Sequence, residues 1–389
     1  MFSRRTGWKL TPNRFSEAQR ELMVAGADVL DLTISNPTQA DLHYDEEAIM
    51  QSLIHPEVLD YDPQPKGLLS AREAVVDYYR KQHEEFDVDV ESVVLTTGTS
   101  DGYSYVFRLL CNPEDEILVP KPSYPLFEFL GDLQDVKLVP YPLIYDHGWQ
   151  IDFVSLYKAV SPRTRAVVVV HPNNPTGSYV SVTEQSELNK FCREYDLALI
   201  VDEVFLDYAH DGAARQTFAG NRETLTFTLS GLSKISALPQ MKVAWVVTTG
   251  PEAQVSAALA RLEVIADTFL SMSAPVQLAT PALLEQRNVV QPLLLDRLRT
   301  NLEEMDRQLA GQKSCQRLAV EGGWYSILRV PVTQPDEDLA IALLREASVL
   351  VHPGHFYDFA SDGYLVFSLI TQPEIFREGM ERVLGLVNR

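Results

Sequence analysis

Cysteine is scarce in this sequence: Cys111, Cys192 and Cys315 are the three among 389 residues, far apart and each in or near an apolar, helix-like run. That scarcity excludes a disulfide framework or a cysteine metal site, so all three read as free thiols and no metal is expected. Positive charge is also short, with 33 Lys and Arg against 54 Asp and Glu and a formal net charge of −21. Phosphate backbones and anionic membranes select Lys/Arg surfaces, so neither nucleic acid nor membrane is an expected partner. Long hydrophobic runs are missing too. The longest are strand-sized, and the basic amino-terminal stretch MFSRRTGWKLTPNRF has no apolar segment behind it. No targeting or spanning segment is expected, and the cytoplasm is the default location. Repeats and low-complexity tracts do not stand out, so no flexible linker divides the chain.

What is present is apolar residue, 46% of the chain, enough for one large core and a smaller lobe. Strand-like runs near 93–96, 116–119, 137–141, 166–170, 197–205, 225–229 and 243–248 alternate with helical patterns in LLSAREAVVDYYRKQ, SELNKFCREYD and PEAQVSAALARLEVIADTFL. The alternation predicts an α/β fold, with a mostly parallel sheet between helix layers. After SMSAPVQLATP, a long helical pattern is interrupted in register by Pro292, and strand, helix, loop, strand and helix follow. This later section predicts a smaller α+β lobe. The expected division is residues 1–40 as an amino-terminal part of the small lobe, 41–275 as the large domain and 276–389 as the small domain.

Three motifs carry chemistry. In SGLSKISALPQMKVAW, 230–245, Lys234 stands between two short apolar runs with a second cation, Lys242, eight residues on. A lysine desolvated at the mouth of a sheet has a lowered pKa and can form a Schiff base with an aldehyde. HPNNPTG, 171–177, follows AVVVV, a buried parallel strand leaving the carboxyl edge of a sheet, where open α/β folds bind ligands. Asn174 is expected to face that ligand. LALIVDEVF, 197–205, is a further apolar strand, ending at Asp202, and a carboxylate there can hold a ring nitrogen protonated. Upstream, VVLTTGTSDG, 93–102, reads as strand, small-residue turn and helix start, where the backbone amides of Gly98, Thr99 and Ser100 suit a phosphate.

The order and spacing of these motifs resemble the class I/II aminotransferases, a family of fold-type I enzymes that depend on pyridoxal 5′-phosphate, over nearly the whole chain from about Asp31. The resemblance implies a three-layer αβα large domain with a smaller α+β domain, and a homodimer. It implies that Lys234 is the Schiff-base lysine and general acid/base, that Asp202 pairs with the pyridine nitrogen and that Asn174 bonds the 3′ oxygen. It also implies that Tyr124, in KPSYPLF, stacks on the cofactor ring. Tyr61, in YDPQPKGLLSAREA, would reach a phosphate in the neighbouring subunit.

The departures from the family pattern are specific. Phe205 stands where a tyrosine usually bonds the 3′ oxygen. Lys242 replaces a phosphate-binding arginine, and Ala244 a glycine. Gly231 replaces a serine, leaving Ser233 or Ser230 as the phosphate hydroxyl. In GYLVFSLI, 363–370, Val366 occupies the place of the arginine that grips the substrate α-carboxylate, so His352 and His355, in VHPGHFY, and Arg329 are the candidate replacements. Thr268 stands where aspartate-specific relatives carry an arginine, which disfavours dicarboxylate specificity by that route. The expected reaction is ping-pong transfer of an amino group from an amino acid to a keto acid. A lyase, decarboxylase or racemase on the same fold is the alternative, and a non-catalytic cofactor-sensing domain is a third.

Overall fold

The computed structural model describes the chain apart from residues 84–86, 126, 214 and 271. Position 126 falls within the aromatic segment 121–127, and 271 opens the stretch 271–281; these two positions of the sequence reading lie outside the described residues.

An eight-stranded sheet organises the large lobe, in the order Val93–Thr96, Ala244–Thr249, Thr226–Gly231, Ala198–Asp202, Thr164–Val170, Glu116–Lys121, Lys137–Tyr145 and Trp149–Ile151. The strands from Thr226–Gly231 to Lys137–Tyr145 pair in parallel, while Ala244–Thr249 runs against both its neighbours. Continuous burial explains the central strands: every residue of Ala198–Asp202 and Thr226–Gly231 is buried, as expected for a sheet covered on both faces. One apolar layer joins Phe107, Val168, Ile200, Phe227 and Leu262, and another joins Phe191, Leu199 and Val201. Strand 197–205 of the sequence reading is shorter in the structure and stops at Asp202.

The smaller lobe holds an antiparallel sheet in the order Gln316–Arg317, Tyr325–Arg329, Tyr364–Ser368, His352–Pro353. The amino-terminal segment joins it, because Leu30–Asp31 pairs in parallel with Val349–Leu350 and the helix Arg14–Val24 packs on Asp336–Glu346. Ala274–Glu285 packs instead on Leu69–Gln82 of the large lobe. The helix Arg287–Leu309 continues through Pro292. Proline there removes one backbone hydrogen bond, and the helix keeps its course because Val290, Leu294 and Leu298 are fully buried in the small-lobe core on either side of it.

Candidate active site

Register in the parallel sheet lines up three strand ends. Val170 is the partner of Asp202, and Asp202 of Leu229, so the loops that follow leave the same edge together. The loop after Val170 carries two adjacent asparagines with different environments. Asn173 is consumed internally, its amide donating to Pro122 O and Thr176 Oγ1 and its oxygen accepting from Ser123 Oγ. Asn174 is buried, yet its Oδ1 has no partner. The loop ends at Gly177, whose φ of +67° and closeness to Gly322 O leave no room for a side chain. Gly177 O in turn accepts from the amides of Glu321 and Gly322, docking this loop on the small-lobe segment that leads into Trp324 and Tyr325.

Asp202 is buried, with Oδ1 accepting from the Val204 amide and Oδ2 from Tyr103 Oη at 3.1 Å. Burial raises its pKa to about 6, against those two hydrogen bonds and the attraction of Lys234. Tyr103 was not singled out in the sequence. It lies one turn beyond Thr99 on the same helix, and i, i+4 spacing alone would have put it on the face of the helix start.

Lys234 sits in the four-residue helix Leu232–Ile235 that follows the next strand. Its backbone is held from three sides: Tyr208 Oη donates to Lys234 O at 2.6 Å, Gln291 Nε2 to Ile235 O, and Tyr44 Oη to Ala237 O. The amine is 3.4 Å from Ser35 O, and lies over the rings of Trp324 at 4.6 Å and Phe205 at 5.4 Å. Loss of water lowers its pKa to about 8, with Asp202 pulling the other way. A shift of that size is worth on the order of 3 kcal/mol against the charged form, so a neutral amine is accessible near physiological pH.

Gly98 caps the helix Thr99–Leu110 without any side-chain hydrogen bond, so no capping side chain takes up the amides of Thr99 and Ser100, while the Asp101 amide donates to Gly98 O. Lys242 Nζ lies 3.4 Å from where a Gly98 Cβ would be. Charge and helix amides thus converge on one cradle. Ser230 is turned away, its hydroxyl directed to Glu203 O, whereas Ser233 is part-exposed. Gly231 and Ala244 are cross-strand partners, and a Cβ on Gly231 would lie 2.8 Å from that of Ala244. The two departures noted in the sequence are therefore adjacent in space, and a Cβ on Gly231 would also meet Ala244 Cα and Val243 O at 2.9 Å, so the close strand approach requires glycine at 231.

Phe205 is buried and meets Trp324 and Tyr325 edge-on. Tyr124 is 37% exposed and meets Phe127, which meets Tyr103. Tyr61 is not part of this cluster. It is 80% exposed and lines a surface hollow with Glu57, Asp60, Asp62 and Asp267. Of the small-lobe candidates, Arg329 is exposed and hydrogen-bonds Gln316, and His355 is exposed against Phe356. Val366 is buried, opposite Ile327 on one side and His352 on the other.

A sheet of this order, with a lysine, a carboxylate and an anion cradle on its carboxyl edge, defines a fold-type I enzyme. The sequence profile of aminotransferase class I and II matches residues 27–377, and the chain belongs to that family. It is 28% identical over 361 residues to glutamate-pyruvate aminotransferase AlaA of Haemophilus influenzae, across 90% of this chain and 88% of that protein. It is 29% identical over 365 residues to an alanine aminotransferase of Mycobacterium tuberculosis, across 90% and 83% of the two chains. In structure it is similar to alanine aminotransferase from Pyrococcus furiosus, with a TM-score of 0.89, 23% identity and all of both chains covered. It is accordingly a pyridoxal-phosphate-dependent aminotransferase. The residues present fit that cofactor: a depressed lysine for its aldehyde, a buried carboxylate for its ring nitrogen, an unpartnered asparagine oxygen, and amides with a lysine for its phosphate.

Proposed function

We propose that the chain moves amino groups between an amino acid and a keto acid at the cleft around Lys234, with Lys234 as cofactor anchor and as the base and acid at the substrate α-carbon. The observation that carries this reading is the sheet edge that brings together Lys234, the buried Asp202, the unpartnered Asn174 Oδ1 and Lys242 beside Gly98; loss of water lowers the Lys234 pKa to about 8. Bound pyridoxal phosphate supplies an aldehyde for amine exchange and a protonated ring that takes up the electron pair released at that carbon. Asp202 would pair with the ring nitrogen and favour its cationic form. Tyr103 orients Asp202 through its O–H. Gly98, Thr99, Ser100, Ser233 and Lys242 would hold the phosphate, Tyr124 would cover the ring, and Asn174 and Phe205 would flank the 3′ oxygen. Lys234 takes the α-proton in its neutral form and returns it from its charged form, a two-way role that suits a pKa near neutrality.

Relatives named for alanine, glutamate and pyruvate make alanine with a 2-keto acid the first pair to try. The active unit is a homodimer, which supplies Tyr61 to the neighbouring site and thereby accounts for an exposed tyrosine in an acidic hollow. The chain divides into a large domain, about 41–275, and a small one built from 276–389 with residues 1–40. Pairing of Leu30–Asp31 with Val349–Leu350 supports that inclusion, while the packing of Ala274–Glu285 on Leu69–Gln82 draws the crossing toward Gln286. No described helix is long and apolar enough to cross a membrane, which agrees with a cytoplasmic location.

The test is half-reaction spectroscopy. Purified yellow protein mixed with single amino acids should lose its aldehyde absorbance, and a keto acid should restore it. Lys234→Ala should bind cofactor without retaining it after borohydride, with turnover lower by about 10² to 10⁴. A fully active Lys234→Ala protein overturns the assignment.

A further inference from the structure

This inference deepens the aminotransferase reading and rests on it. An amino acid brings a carboxylate into the cleft, and a carboxylate leaving water needs donors. On the large-lobe side, Lys234 and Lys242 are already occupied with the cofactor. The donor is therefore sought on the small lobe.

The face of the small sheet that looks into the cleft is identified by Tyr325. Its ring meets Phe205 at 6.3 Å, and the Phe205 ring lies 5.4 Å from the Lys234 amine. Residues two apart on a strand share a face, as do directly opposed cross-strand partners. Ile327 therefore shares the face of Tyr325, Val366 opposes Ile327, and His352 opposes Val366. Val366 offers no polar atom. Tyr357 spans this apolar step, with its ring 6.3 Å from that of Tyr325 and its phenol oxygen 3.1 Å from His352 Nδ1.

A neutral imidazole and a phenol carry one donor hydrogen each, and their mutual hydrogen bond uses one. No other hydrogen bond engages either side chain among the described residues. Tyr357 is 5% exposed whereas His352 is part-exposed, so the imidazole is the member that reaches solvent. Burial lowers the His352 pKa against the pull of Asp31, favouring the neutral ring. If the Tyr357 hydroxyl donates to Nδ1, the free donor is Nε2–H, pointing away from the pair. Arg329 is engaged with Gln316 at the exposed sheet end, and His355 lies outside on Phe356.

We propose that His352 donates its Nε2–H to the substrate carboxylate, and that Tyr357 is a positioning residue that fixes the required tautomer. The site then grips a monocarboxylate through a neutral donor in place of a cation.

The test uses the holoenzyme and propionate, which has a carboxylate and no amino group to react. Calorimetry should show saturable binding to the parent, weakened in His352→Leu by about tenfold to a hundredfold, the range for a hydrogen bond to a charged group. His352→Gln, which keeps a donor, should recover part of the loss. Tyr357→Phe keeps the ring packing and should show a smaller loss, together with a changed ¹⁵N tautomer signature at His352, which a merely structural role would not alter. In the parent, propionate should shift the His352 Nε2–H resonance. The KM for alanine should rise in His352→Leu while kcat at saturation changes less. Unchanged propionate binding in both His352→Leu and Tyr357→Phe, or no saturable binding in the parent, overturns the proposal. If amino acids react in the parent while those variants bind propionate normally, the His352 assignment fails and transamination stands. If the parent and variants follow the expected binding order but no amino acid changes the cofactor spectrum, transamination fails and the carboxylate site stands.

Discussion

At the scale of the residue, the cleft withdraws Asp202 and Lys234 from water, and the neighbouring Glu203 is buried against Thr217 and Phe218. Asp202 is raised to about 6, Glu203 to about 8, and Lys234 is lowered to about 8, each chiefly by burial. A carboxyl group with a raised folded pKa contributes stability below its unfolded pKa and loses it as pH rises through the folded value. For Glu203 that window runs from its ordinary 4.5 to about 8. Lys234 acts in the opposite sense: its contribution is present above its ordinary 10.5 and is lost as pH falls to about 8. Thermal melts of the cofactor-free protein should therefore show Lys234→Met more stable than the parent at pH 7, with the advantage shrinking between pH 8 and 10.5. An advantage that stays flat over that range would show that charge is not its origin. Phe205 bears on the cofactor side of the same cleft. A hydroxyl at this position would donate to the 3′ oxygen, so Phe205→Tyr should lower the pH at which the bound cofactor's absorbance changes; equal or reversed midpoints in the two proteins would defeat this.

At the scale of the element, two neighbouring strands approach too closely for a side chain at Gly231. Gly231 faces Ala244 across the pair Thr226–Gly231 and Ala244–Thr249, and Val243 O also approaches the missing Cβ at 2.9 Å. Gly231→Ser alone should overpack the strand ends beside Lys234 and cost about 1–3 kcal/mol. Combining it with Ala244→Gly should recover only part of that loss, because Ala244 Cα and Val243 O still stand 2.9 Å from the new Cβ. Urea melts of the two single variants and the double variant measure the coupling. Additive losses would mean that the strands accommodate the two positions independently. The double variant also restores a serine hydroxyl near the phosphate cradle, so its cofactor should bind more tightly than in Ala244→Gly alone.

At the scale of the whole molecule, the lobes meet where the cleft forms. Ser123 N donates to Tyr357 O, Ala319 N to the Tyr145 hydroxyl, and the Gly177 loop lies on the Gly322 segment. The amino-terminal strap spans both lobes: Trp8 donates to Asp132 Oδ2, while Phe15 meets Phe356. If the partner chain supplies Tyr61, dilution to monomers should release cofactor, and Tyr61→Phe should weaken cofactor binding without changing the Lys234 chemistry. Sedimentation with absorbance detection reads both, and a monomer that keeps its cofactor and activity removes the Tyr61 role.

Much of this molecule is written locally in its sequence. Strand and helix periods predict the mostly parallel sheet, and short apolar runs put Asn174, Asp202 and Lys234 after strand ends, because a buried parallel strand has to end in a loop at the sheet edge. The choice between neighbouring residues is not local. Asn173 and Asn174 are equivalent as letters, and only the folded loop shows that the first spends its hydrogen bonds on Pro122, Thr176 and Ser123 while the second keeps a free oxygen. Tyr103 comes to Asp202, Tyr208 to Lys234 and Gln291 to the adjacent Ile235 across separations of 99, 26 and 56, and Trp324 reaches Lys234 from the other lobe. The helix through Pro292 likewise depends on burial that its own period does not reveal. Motifs carry chemistry that one strand end can present, whereas hydrogen-bond partners and desolvation arise only when distant segments close around it.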